Sequence, residues 1–215
     1  MWPILLKIYL VLLAGVSITG IIRYKIIDTP AIVVLAYLIL TTISETLAQY
    51  LSYSIKNNLL VYHIYGPIKL LLISIYYNSI ISFFKKHSVG IIIGAIGIIF
   101  SLYNSIFLQH YLTTFNTNFI LIEALLIIAM TLCYFYDFLN TTHTNKQFTT
   151  PHFWIACIFL LFWSFTFFRW LTGAVMPSLA SQNIVLIRYL MYTINIITYV
   201  GFGLVFLFYK KLQHG

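Results

Sequence analysis

Charge is the scarcest property of this chain. Only 7% of its 215 residues are charged and Asp and Glu together number four, whereas soluble domains carry about 25% charged residues. With 61% hydrophobic residues and a mean hydropathy of +0.96, a water-soluble globule is excluded. Polar sequence is also too short anywhere to hold a separate catalytic domain. Cysteine is nearly absent: Cys133 and Cys157 lie inside apolar runs with no CxxC spacing and no nearby His, which reads as small core residues rather than a disulfide or a metal site. No H-E-x-x-H, no G-x-S-x-G, no phosphate loop and no dinucleotide fingerprint occurs, and the six histidines show no i,i+4 pair. An enzyme, a cofactor and a bound metal are therefore not expected. The first apolar run continues to Ile22 without an A-x-A-like cleavage site, so it reads as a retained helix rather than a signal peptide, and no lipidation motif is visible.

What fills the chain instead is a series of seven apolar windows, 4–22, 31–52, 59–84, 89–109, 119–139, 152–171 and 184–208. Each is long enough to cross about 30 Å of hydrocarbon. Continuous runs of this length predict helices, because only helices and closed barrels satisfy their backbone in lipid, and barrel strands would alternate in segments of about ten residues. The expected fold is an all-α membrane protein, a single seven-transmembrane-helix bundle over 1–215, with membrane lipids as its solvent.

The net charge of +8 does not point to nucleic acid, because Lys and Arg sit at segment ends and form no aromatic-interleaved patch. Such placement sets orientation. With the N-terminus outside, Arg23, Lys25, Lys85, Lys86, Lys146, Lys210 and Lys211 fall inside, and Lys7, Lys56, Arg169 and Arg188 outside. Seven against four predicts N-out, C-in, and a bacterial inner membrane is the expected location.

Lys69 breaks the pattern. It stands within LLVYHIYGPIKLLLISIYYNSIISFF, six residues past His63 and beside the Gly66-Pro67 pair. An amine at this depth costs at least ~3 kcal/mol on insertion scales and usually marks a pocket, a pathway or an ion pair. Positions three and four apart share a helix face. By that rule helix two aligns Thr41, Glu45, Gln49 and Ser52; helix three aligns Tyr62, Tyr65, Lys69 and Tyr76; helix five aligns Glu123, Met130, Tyr134 and Asp137; helix seven aligns Arg188, Tyr192, Asn195 and Tyr199. Side chains lean toward their helix's N-terminus, which brings Lys69 and Glu45 toward one level, and Arg169 toward Glu123. His63, Asn104 and Gln109 fall in the same outer half.

Two readings follow. Two buried bridges, Lys69–Glu45 and Arg169–Glu123, would fix helix register. Alternatively, Glu45, Gln49, Tyr62, His63, Tyr65, Lys69, Asn104, Glu123, Arg169, Arg188, Tyr192 and Asn195 line a pocket open to the outside. Its surplus positive charge would favour a small anionic or amphiphilic ligand, with Trp163, Trp170 and Tyr189 packing the ligand body. Pro67 removes a helix hydrogen bond and can act as a static bend or as a switch element. On the fourth helix, Gly90, Gly94, Gly97 and Ser101 form one smooth stripe, suited to an intramolecular seam or a homodimer contact. No internal repeat of the transporter type is visible, and a retinal-bearing lysine in the last helix is lacking, since Lys210 and Lys211 sit at its end.

The stretches NNLLVYHIYGPIKLLLISIYYNSI, FNTNFILIEALLIIAMTLCYFYDFL, FWIACIFLLFWSFTFF and YTINIITYVGFGLVFLFYKK resemble a group of small seven-helix membrane proteins of Bacteroidota without settled function. The resemblance rests on the Tyr62-His63-Ile64-Tyr65 cluster, Glu123 and the Asn195–Gly203 region. That group carries an acidic residue where Lys69 stands, so the chain departs there. Its members look like companions of signalling kinases, which implies a sensor that signals through a partner at the cytoplasmic face, by way of KKHS or YKKLQHG. The expectation is a receptor-like sensor; the alternative is a transporter or channel subunit with Lys69 and Glu45 as a gated pair.

Overall fold

In the computed structural model, residues 2–141, 150–176 and 183–214 are described. Lys146 and most of the last two connections lie outside them. The described residues form helices and no strand: α1 (Trp2–Ile22), α2 (Thr29–Ser54), α3 (Leu59–Ile80), α4 (Ser82–His87), α5 (Val89–Tyr103, continued by a π turn over Asn104–Leu108), α6 (Thr117–Thr141), α7 (Pro151–Val175) and α8 (Ile184–His214). All but α4 are long and apolar enough to cross a membrane, with α5 counted through Leu108. Large apolar side chains such as Val11, Ile99, Leu132 and Leu139 are exposed around the outside, which is where lipid tails replace water. The chain is a multi-pass helical membrane protein.

Neighbouring helices run α1–α2–α3–α6–α7–α8 and back to α1, so six of them close a ring. The fourth long helix, α5, stands outside that ring against α3. Its glycine stripe explains the closeness: a Cβ at Gly90 would lie 2.4 Å from the Ser74 carbonyl oxygen, and one at Gly97 would lie 2.4 Å from the Leu70 side chain. The stripe is therefore a seam within the chain, reinforced where Gly90 N donates to Asn78 Oδ1 at 3.1 Å.

Several ends are set by identifiable groups. Asp28 caps α2, its Oδ1 accepting from Ala31 N at 3.0 Å, and Pro30 occupies a first-turn position where its missing N–H costs nothing. The third apolar window does not run on to Phe84 as its composition suggests. Ile81 is extended (φ −95°, ψ 122°), and Asp137 of α6 accepts from both Ser82 N and Ser82 Oγ at 3.0 Å. A carboxylate from another helix thus caps α4 and fixes the break. Ser88, in the left-handed region at φ 55°, turns the chain back into α5.

The ring interior is not uniform along its length. Toward the face that carries the α1–α2 loop, Tyr37, Tyr76, Tyr77, Phe159 and Phe202 pack ring to ring, with centroids 5.1–6.4 Å apart, all nearly inaccessible. Edge and tilted pairs of this kind add about 0.5–1.5 kcal/mol each beyond area burial. This aromatic plug closes one end of the ring. The other end, where α3, α6 and α8 begin, is hollow.

Candidate functional site

The hollow end is a cavity of about 850 Å³ reaching down to the plug. Its depth is set by a coincidence of spacing on two parallel neighbours. Gly66 of α3 lets the Phe119 ring of α6 approach so closely that a Cβ there would sit 2.9 Å from Phe119 Cε1. Three residues on from Gly66 is Lys69, and four on from Phe119 is Glu123, so one helical turn below that contact the two side chains face each other. Lys69 Nζ lies 3.0 Å from Glu123 Oε2. The ammonium also sits 4.6 Å from the Trp163 ring centroid and 4.9 Å from that of Tyr65. A carboxylate and two ring faces therefore hold a cation that hydrocarbon would reject.

This pairing corrects the expected bridges. Glu45 is not the ion-pair partner of Lys69; it is the second carboxylate in its electrostatic reach, beside Tyr62. Arg169 does not reach Glu123, which Lys69 occupies; its guanidinium lies over the Trp170 ring at 4.5 Å, and Trp170 in turn stacks on Phe115. Arg169 and Arg188 are electrostatic neighbours of like sign on α7 and α8 at the open end.

Of the residues singled out from sequence, Glu45, Tyr62, Tyr65, Lys69, Glu123, Arg169, Arg188 and Asn195 line the cavity. Gln49 and Tyr192 line a smaller chamber of about 350 Å³ that shares Glu45, Tyr62, Arg169, Arg188 and Asn195 with it. Two others are placed away from both. His63 points toward the fourth span, with Nδ1 2.7 Å from Ser105 Oγ and Nε2 3.0 Å from the Thr114 carbonyl. A carbonyl can only accept, so Nε2 carries a proton. Asn104 is fully buried in an amide knot, where Nδ2 donates to Gln109 Oε1 at 3.1 Å and to Asn116 Oδ1, and Oδ1 accepts from Asn118 at 3.3 Å. The π turn that begins at Asn104 brings Gln109 into that knot, its N–H donating to the Asn104 carbonyl at 2.7 Å. Both residues therefore hold the α5–α6 connection in place.

The sequence stripes omit Tyr9 of α1 and Tyr37 at the floor, which line the cavity together with Thr41 of the helix-two stripe. Thr41 Oγ1 donates to the Tyr37 carbonyl at 2.7 Å and accepts from the Tyr65 hydroxyl at 2.8 Å, which ties α2 to α3 beneath Lys69. The one available signal for Tyr9 was a single tyrosine in a greasy helix, too common here to single out.

The site is incompletely satisfied. Glu123 is wholly buried, and its Oε1 has no hydrogen-bond partner among the described residues; nor does the indole N–H of the equally buried Trp163. Buried polar atoms without partners are rare, and each calls for an ion, a water or a ligand group. The arrangement can accept and donate hydrogen bonds deep in the ring and offer two guanidinium groups at its mouth. Among the described residues no cluster of three or more His, Cys, Asp or Glu side chains could hold a metal. No protein-family model, curated protein or solved structure matches the chain.

Proposed function

We propose that this protein is a receptor-like membrane sensor that binds a small anionic or amphiphilic molecule in the half-ring cavity. The observation that carries the reading is the unpartnered Glu123 oxygen and Trp163 N–H, both buried against a cavity of ligand size. Arg169 and Arg188 at the mouth supply the charge that would steer and hold an oxyanion, since a guanidinium fork matches carboxylate and phosphate geometry. The aromatic plug supports a binder over a pore, because it closes the far end of the ring. With the N-terminus outside, as the Lys and Arg distribution favours, the cavity faces out and the far face inward. Signalling would then pass through a partner at that inner face, in keeping with the resemblance to companions of signalling kinases.

A second reading has one observation in its favour. Lys69 has two carboxylates in electrostatic reach, Glu123 in contact and Glu45 beyond it. A lysine that alternates between them would suit a transporter or channel subunit.

Thermal unfolding in neutral detergent against a panel of soluble oxyanions tests the first reading. A true ligand stabilises the folded state by about 2.7 kcal/mol at a hundred times its Kd. The midpoint should rise saturably in the wild type and stay flat in Arg169→Gln/Arg188→Gln. Equal shifts in both proteins would count against the site. Uptake of the same anion into proteoliposomes, lost in Lys69→Ala, would instead support transport.

A further inference from the structure

The lipid-facing side of the α7–α8 contact carries another hollow, of about 190 Å³. Its outer walls are apolar, with Phe165, Phe168 and Leu190 all exposed on the surface that the bilayer covers. A greasy hollow facing lipid is ordinary in itself. What sets this one apart is its inner wall: Arg169 and Met191 also line the main cavity, and Ile187 lines the smaller chamber. Arg169 borders both spaces, its guanidinium over Trp170 at the mouth. Among the described residues no carboxylate forms an ion pair with it. Long basic side chains divide in this way between apolar stem and polar head, and an unbranched methionine is the side chain best suited to yield between two compartments.

Resting on the binding reading above, we propose that the ligand is a single-chain amphiphile with an oxyanion head that reaches the site from the bilayer: its alkyl chain lies in the α7–α8 groove and its carboxylate or phosphate is held by Arg169 at the cavity mouth. Charge complementarity selects the head group, and the wall that groove and cavity share at Arg169 and Met191 fixes where the chain goes. A neutral lipid tail would fill the groove equally well, but would gain nothing from the arginine.

Native mass spectrometry of the full chain, released from neutral maltoside detergent after titration with butyl phosphate or dodecyl phosphate, separates the two parts of the claim. Both probes carry the same head, so the difference between them reads the groove. The expected result is one saturable dodecyl phosphate adduct, at least tenfold tighter than that of butyl phosphate. Arg169→Gln should weaken both. Leu190→Trp and, independently, Phe165→Trp should remove the chain-length advantage and leave butyl phosphate binding unchanged, which also shows that the variants are folded. Equal binding of both probes by the wild type, or a chain-length advantage that survives both tryptophan variants, overturns the lateral seat and leaves the cavity reading standing. Absence of any saturable adduct with either probe overturns both.

Discussion

At the scale of single residues, the site turns on Lys69 and Glu123. An ion pair inside a membrane protein stabilises little relative to well-packed apolar residues, yet removing one partner strands the other, at a cost of about 3–5 kcal/mol. Lys69→Met and Glu123→Leu should therefore each lower stability by about that amount, measured by unfolding in mild detergent, while the double variant recovers most of the loss. Glu45→Leu in place of Glu123→Leu should give no such recovery, which distinguishes the contact seen from the one that depth alone suggested. A second residue speaks at the far face. Burial pushes the Asp28 carboxyl up, but the hydrogen bond and charge of His152 and the Ala31 amide outweigh it and hold the group below its ordinary value. A depressed carboxylate contributes stability that is present above its unfolded value, about 3.9, and is lost as pH falls through the lower folded one. Unfolding midpoints followed from pH 5 downward should fall more steeply for the wild type than for Asp28→Asn.

At the scale of elements, glycine placement separates a seam from free space. Gly90 meets the Ser74 carbonyl, whereas a Cβ at Gly15 of α1 would meet nothing within 4 Å. Gly90→Val should cost about 1–3 kcal/mol by overpacking the α3–α5 seam. Gly15→Ala should be neutral or stabilising by up to about 1 kcal/mol, because it restricts only the unfolded chain. Asp137→Ala should cost about 0.5–2 kcal/mol through the lost cap on α4, and Asp137→Asn should recover part of it. Most element positions were legible in the sequence because apolar runs of spanning length have one solution in lipid. The break at Ile81 was not, since its cause is a carboxylate 56 residues further along the chain. The glycine stripe announced a close neighbour for α5 but could not say which, so the helix's place outside the ring came only with the fold.

At the scale of the whole molecule, the described residues make a ring of six long helices braced by a seventh, plugged with aromatic rings at one end and hollow at the other. Sequence stripes found much of the cavity wall, because polar residues on greasy helices have nowhere else to point. They failed where partners are chosen by neighbourhood: α3 packs beside α6 through Gly66 and Phe119, and that contact, rather than depth, gives Lys69 to Glu123. They also failed for His63 and Asn104, whose partners lie on the α5–α6 connection instead of in the ring. The most direct test is an experimental map of the protein in lipid nanodiscs. A ligand-binding cavity should show non-protein density between Lys69–Glu123 and the arginines 169 and 188, with the plug of Tyr37, Phe159 and Phe202 closed beneath it. A map in which side chains collapse to fill that volume, or in which Lys69 turns toward lipid, would contradict that reading.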